Sequence, residues 1–395
     1  MQSVDVAIVG AGTAGAMAAT MLGRAGHAVA LIDPIHPFGA DFRCEKIEHT
    51  HADALRRAGL LDEITPAGRR YEGIWIARQG RFVEIVPMVE YGIDYGALVN
   101  RIRDLLPANV AFLNDKVTGV QLDARRPVVD LASGDKITAR LVIAANGLNP
   151  GLLEALGLER RVISRGHSLS IGFDVAPEGR SRFDFEALTY FGEDPRHRVA
   201  YLTLFPIGGH VRANLFVYRE VSDPWVKDFR RDPVAAMCAA MPNLKSLTGD
   251  FKVVSQPKFR AVDLVATEPL DKPGLVLVGD AFSTACPVSG TGASKAMVDV
   301  ERLCNEHIPR WLAGETIGPE TIAQFYNDPA KVASDLHSRQ VSLFAKRLAL
   351  ETGPLWSAYR WVRFFGAAGR YAFNRVRQAV EAGTTKPSGV QWQQR

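Results

Sequence analysis

Short apolar runs closed by glycine turns alternate with amphipathic stretches along most of the chain. Residues 4–9 are an apolar run that predicts a strand. Gly10-Ala11-Gly12-Thr13-Ala14-Gly15 follows, and the small residues over 16–24 predict a helix. Gly26 stops that helix, and 28–32 predict a second strand ending at Asp33. Leu98, Ile102, Leu105 and Leu106 share one face, which predicts a helix over 97–106. Residues 110–122 and 128–132 predict strands, and 141–145 predict a strand buried on both faces.

Over 167–220 the hydrophobic period changes to two. The runs over 168–173 and 200–205 alternate, and Gly208-Gly209 turns the chain back into 211–218. That hairpin predicts an antiparallel sheet. Helix is predicted over 224–248, a buried strand over 275–278 ending at Gly279-Asp280, and a helix over 292–304. Beyond residue 330 the pattern is helical. No internal repeat or low-complexity linker interrupts the chain. The pieces predict an α/β protein with a Rossmann-like domain over 1–75, 96–165 and 258–330. A mainly antiparallel β-sheet domain over 76–95 and 166–257 interleaves with it, and 331–395 form a helical C-terminal segment.

Composition narrows this picture. The 395 residues are 47% hydrophobic and 23% charged, which excludes a disordered, collagen-like or coiled-coil chain. Cys44, Cys238, Cys286 and Cys304 form no C-x-x-C pair, so neither a zinc site nor a disulfide framework is signalled. Reduced thiols fit a cytoplasmic setting. The N-terminus carries no secretory pattern, and no apolar run approaches the ~20 residues of a membrane span. The net charge of +4 is uneven: residues 331–395 hold 11 Lys/Arg and 3 Asp/Glu, while the rest is slightly acidic. A global argument for nucleic-acid binding therefore fails.

Three motifs carry chemistry. In the first, Gly10 permits a tight turn, Gly12 lets the backbone approach a pyrophosphate, and Gly15 lets the helix pack on the strand. Thr13 and Ala14 lie in that turn, ahead of the helix whose N-terminus attracts negative charge. Asp33, 18 residues after Gly15, stands where a carboxylate accepts hydrogen bonds from a ribose diol. The second motif runs from Gly279 to Leu303 and resembles the Gly-Asp fingerprint of FAD-dependent monooxygenases of the para-hydroxybenzoate hydroxylase type. Gly279, Asp280, Pro287, Gly290, Gly292, Asp299 and Leu303 match in register, and Thr291 lies within the turn. Ser283 and Ser294 stand where His and Asn are frequent. In the third motif, Asn146-Gly147 follows the 141–145 strand where the family usually has Asp-Gly, and Tyr95 stands where an Arg is frequent.

The resemblance spans residues 1–330. It implies FAD held by Gly10, Gly12, Thr13, Ala14, Gly15, Asp33, Gly147, Gly279, Asp280, Pro287, Gly290, Thr291 and Gly292. It adds Arg43, in the loop Phe42-Arg43-Cys44-Glu45-Lys46 over the flavin, and Val117, at a strand that meets the adenine. It implies hydroxylation of an electron-rich, aromatic small molecule through a flavin C4a-hydroperoxide, with oxygen as co-substrate and NAD(P)H as transient reductant. Two alternatives are a flavin-dependent reductase or dehydrogenase of a double bond and a non-catalytic FAD-binding protein.

Weaker constellations complete the reading. His167, His210 and Arg212 lie in the antiparallel block and are candidates to position or deprotonate a phenolic substrate. More often such residues are ordinary polar groups of strands and turns. His49-x-His51 lacks a third ligand nearby, so no metal is expected. Residues 355–373 hold seven aromatics in 19, interleaved with arginines. That segment is expected to pack on its own body or to form a homodimer; a membrane-surface contact and a wall of the pocket for an anionic or bulky substrate are the alternatives.

Overall fold

The computed structural model describes residues 2–43 and 45–384. Cys44 and residues 385–395 of the C-terminal segment lie outside the described residues. Val6–Val9 (β1) enters the first glycine turn, Thr13–Arg24 (α1) follows, and Val29–Ile32 (β2) returns beside β1. His49–Arg57 (α2) precedes a long hairpin, Arg69–Arg78 (β3) and Arg81–Gly92 (β4). The helix expected over 97–106 is Tyr95–Asp104 (α3). The strand expected over 110–122 is two: Val110–Leu113 (β5) and Val117–Gln121 (β6). The polar Asn114-Asp115-Lys116 turn sends β6 to a different sheet.

Leu141–Ala144 (β7) is buried at every residue. Glu159–Pro177 (β8), Ala187–Phe191 (β9), Val199–Ile207 (β10) and His210–Val217 (β11) build the antiparallel block. Ile207 pairs with His210, so Gly208-Gly209 is a two-residue hairpin loop, with Gly208 at φ 51°. The helix expected over 224–248 is three short ones, Pro224–Arg231, Pro233–Ala240 and Leu244–Thr248. Pro233 supplies no amide hydrogen to continue a helix, and the Asp232 side chain instead caps a new one through the Ala235 amide. Lys258–Glu268 (β12) and Leu275–Leu277 (β13) lead to Thr291–Arg302 (α4). Pro329–Leu350 (α5) and Pro354–Thr384 (α6) follow.

Among the described residues, a five-stranded parallel sheet runs β13-β7-β1-β2-β5. The order reverses direction at β1, so a crevice opens beyond the carboxyl ends of β1 and β7. The larger sheet runs β8-β11-β10-β9-β3-β4 at its centre, with β12 against β8. All of β3 and β12 belong to it, so its margins reach outside 76–95 and 166–257. Its core residues Leu169, Ile171, Leu202, Leu204 and Leu215 alternate with side chains facing the crevice. The result is a Rossmann-like layer roofed by a mainly antiparallel sheet.

Candidate functional site

The first glycine turn is shaped by close approach. Gly10 has φ 97°, and a Cβ there would stand 2.6 Å from the Ala145 carbonyl oxygen. A Cβ on Gly15 would stand 1.8 Å from the Gly10 oxygen. A Cβ on Gly12 would meet only the Tyr95 hydroxyl, at 3.6 Å, so no protein atom demands glycine there. Gly12, Thr13 and Ala14 line the crevice, and no side chain caps the N-terminus of α1. Its amides are thus directed at the space where a diphosphate would lie.

Asp33, expected at a ribose diol, holds a backbone amide with each carboxylate oxygen. Its Oδ2 accepts from the Ala11 amide at 2.7 Å and its Oδ1 from the Ile35 amide at 2.8 Å. Buried Arg103 stands behind it, donating to the Ala11 and Ile35 carbonyl oxygens at 2.8 and 2.7 Å. Asp33 and Arg103 therefore set the shape of the turn, and Asp33 is off the crevice wall. Val117 also lies off the wall.

The second motif converges on the same crevice. Gly279, Asp280, Pro287, Gly290 and Gly292 line it. Gly279 has φ 60°, and its amide donates to Asp299 on α4. Thr291 faces away, sharing its hydroxyl with Ser289 and Ser338 at 2.7 Å each. Asp280 is within electrostatic reach of Arg43, Arg160 and Arg260. Arg43 lies over the Tyr95 ring, 5.6 Å from its centre, and pairs with Asp41 at 2.5 Å. Burial opposes the Arg43 charge, but Tyr95, Asp41 and Asp280 outweigh it and raise its pKa. Gly147, at φ 61°, completes this wall. Asn146 donates to the Asn149 carbonyl at 2.8 Å, so its side chain ties its own loop.

The roof carries Ser170 of β8, Tyr201 and Thr203 of β10, and Asn214 and Phe216 of β11. The Tyr201 hydroxyl donates to the Val288 carbonyl at 2.9 Å, and burial raises its pKa far above the ordinary phenol value. From the loop before α2 come Glu45, Lys46 and Glu48. Lys46 pairs with Glu48 at 2.8 Å. Burial opposes the Glu48 charge, yet Lys46 and His51 hold its pKa below the usual value. Glu45 is 3% exposed and ion-pairs with Arg212. Burial, against the pull of Arg212, pushes its carboxyl up to about 7.

His167, His210 and Arg212 do not line the crevice. His167 Nδ1 meets the Ser164 hydroxyl at 3.1 Å, and burial with Lys346 pushes its pKa down to about 4. His210 Nε2 lies 3.3 Å from Asp174. Arg212 bridges Glu45 and Asp174 and reaches the site only through them. Glu45, Tyr201, Asn214 and Arg260 were not singled out by sequence. The i, i+2 spacing of Arg212 and Asn214 on β11 is the one signal for a shared polar face.

The residues present fit FAD. A cradle open at Gly12, an uncapped helix terminus, and Arg43 with Arg260 beside it suit a diphosphate. Asp280 suits hydroxyl donors of a polyol chain. A two-turn dinucleotide fold roofed by an antiparallel sheet defines a flavoprotein oxidoreductase. Residues 3–316 match the family profile described as "FAD binding domain". The chain belongs to that family, the FAD-dependent monooxygenases of the para-hydroxybenzoate hydroxylase type.

Over 321 residues it is 24% identical to 6-hydroxynicotinate 3-monooxygenase of Bordetella bronchiseptica, covering 75% of this chain and 81% of that one. It is also 24% identical over 348 residues to digeranylgeranylglycerophospholipid reductase of Methanococcus vannielii, covering 82% and 81%. Among solved structures, p-nitrophenol 4-monooxygenase of Pseudomonas putida superposes with a TM-score of 0.75 at 18% identity. That match covers 99% of this chain and 100% of the other, and it shows the shared fold.

Proposed function

We propose that this flavoprotein hydroxylates an electron-rich aromatic small molecule, with oxygen as co-substrate and NAD(P)H as reductant. The observation that carries the reading is the convergence of both glycine turns on one crevice roofed by polar and aromatic side chains of β8, β10 and β11. FAD, when bound, supplies the redox chemistry that activates oxygen. Gly12, Thr13, Arg43 and Asp280 would hold it. Gly290 and Gly292 at the start of α4 present backbone where the flavin's polar edge would lie. Tyr201, Phe216 and Asn214 orient the substrate and exclude water. A reductase of a prenyl chain needs an apolar tunnel, whereas buried Glu45 and Asn214 and half-buried Arg260 place polar groups on this wall.

The test begins with an absorbance spectrum of the purified protein, then anaerobic addition of NADH and NADPH. Flavin bands that bleach, followed by oxygen uptake on adding hydroxylated aromatics, support the reading. Asp280→Ala should purify without flavin. A protein that stays colourless after reconstitution with FAD overturns it.

No helix among the described residues is long and apolar enough to cross a membrane. A cytoplasmic setting is part of the proposal, supported by the free thiols of Cys238, Cys286 and Cys304. A homodimer contact through α6 is proposed on its packing. Ala367 is buried and Tyr371 packs edge-on to Phe82 of β4. Leu355, Val362, Phe365, Phe373 and Val376 remain exposed along another face of the helix.

A further inference from the structure

We propose that Glu45 is the general base that takes the proton from the hydroxyl group of a phenol-type substrate, with Arg212 and Asn214 as the residues that position its carboxylate. This rests on the monooxygenase reading above and adds to it a residue and a substrate feature: a free ring hydroxyl.

The geometry begins with burial. Glu45 lines the crevice beneath the roof, yet only 3% of it is exposed. A carboxylate in such a place needs partners. Arg212 of β11 supplies one, pairing with Oε1. Asn214, two residues along the same strand face, supplies the other once its amide is oriented with Nδ2 toward the carboxylate, 3.2 Å from Oε2. Each carboxylate oxygen keeps a second lone pair for a ligand. Arg212 is itself shared, with Asp174 of β8 at 2.7 Å and Asp94 at 3.6 Å. Its charge is therefore divided among three carboxylates, which weakens its hold on Glu45.

The electrostatics follow from that division. Burial raises the Glu45 pKa to about 7, Asp94 adds to the rise, and Arg212 and Asn214 oppose it. A base poised there is ionised for part of the molecules near neutrality and is far more basic than an exposed carboxylate. Its neighbours on the wall are unsuited. Glu48 is held acidic by Lys46 and His51. His51 Nδ1 is occupied by the Glu48 amide at 3.2 Å, and burial lowers its pKa. Tyr201 keeps its proton and donates it in a hydrogen bond to a backbone carbonyl.

The step balances without a further reagent. The substrate O–H bond breaks and the proton passes to a Glu45 oxygen. The electron pair stays on the substrate oxygen and delocalises to the ring carbons ortho and para to it, which then attack electrophilic oxygen more readily. Glu45 returns the proton to solvent as product leaves.

The test uses the flavin-loaded enzyme, with 4-nitrophenol and 3-hydroxypyridine as probes whose ionisation changes their absorbance. At about pH 8, above the Glu45 value of about 7, binding of ionised 4-nitrophenol should take up close to one proton from solution in the wild type, because the pair holds one shared proton rather than two adjacent anions. Glu45→Gln should bind it with no such uptake and with the flavin content unchanged. With a hydroxylated aromatic that is turned over, kcat/KM should fall about 10²–10⁴-fold in Glu45→Gln. The acid limb of its pH profile should vanish, and Glu45→Asp should restore part of both. The same proton uptake in wild type and Glu45→Gln, or an unchanged acid limb, overturns the role. A flavin-loaded enzyme that binds neither probe and turns over no hydroxylated aromatic overturns the substrate feature while leaving the flavoprotein reading intact. Failure to bind FAD at all overturns that reading instead.

Discussion

The amide of Gly279 donates to the Asp299 carboxylate at 3.1 Å, so α4 holds the second glycine turn in place. Asp299 is fully buried and stands 3.4 Å from both Lys295 and Lys331, which also share Asp335. The turn that presents Asp280 to the crevice is thus anchored by a buried charge network reaching from α4 to α5.

Removing one member of that network exposes its cost. Asp299→Ala leaves Lys295 and Lys331 facing one another with Asp335 as their remaining acid. Destabilisation of about 3–5 kcal/mol is expected from an uncompensated buried charge. Urea unfolding of the flavin-free protein measures it. A change below about 1 kcal/mol, within the range of an exposed pair, would show that the network carries little of the stability.

The two inner glycines of the first turn should separate folding from cofactor binding. Gly15→Ala places a methyl group on the Gly10 carbonyl and should cost about 1–3 kcal/mol or more through overpacking. Gly12→Ala meets no obstacle within the protein. Its flavin-free form should melt like the wild type while its flavin content falls. Thermal melts with flavin quantitation decide this, and full flavin content in Gly12→Ala would place the diphosphate elsewhere.

Acid should weaken the junction between α4 and α5. Burial opposes the Asp328 charge, but Arg302, the Lys331 amide and His307 hold its carboxyl far below the usual range. A depressed carboxyl stabilises the fold above its unfolded value of about 4 and loses that contribution as pH falls through the lower folded value. Asp328 also caps α5 through the Ala330 and Lys331 amides at 2.9 and 3.0 Å. Asp328→Asn should flatten the stability curve below about pH 4. Denaturant unfolding across that range shows whether the wild-type slope survives the substitution.

The exposed stripe of α6 should govern the solution mass. Light scattering of the wild type should give a dimer, and Phe365→Ser/Phe373→Ser a monomer with unchanged flavin content. A wild type that is monomeric at high concentration would remove the homodimer contact.

Much of the architecture was legible because its causes are local. Fully apolar runs at 6–9, 141–145 and 275–278 mark strands with both faces covered, and they became neighbours in one parallel sheet. Glycines with positive φ at positions 10, 147, 279 and 290 mark turns that other residues resist. The expected helix over 224–248 failed at Pro233, a stop signal that the amphipathic pattern had obscured. Asp33 was read by its distance from the glycines. That spacing locates the residue at the end of β2 but cannot say whether amides or a ligand take its oxygens.

By itself, then, the sequence determined the element types, the glycine turns and the family, because each depends on residues close along the chain. The tertiary structure decided which polar side chains meet. Arg212 and Glu45 are 167 residues apart, and Arg103 lies 92 residues from the Ala11 carbonyl it holds. A hydrophobic period records which face of an element is buried and carries no record of what lies opposite. The register of β11 over the crevice turns Arg212 and Asn214 toward Glu45, and the low polarity around that carboxylate exists only once the roof has closed on the parallel sheet.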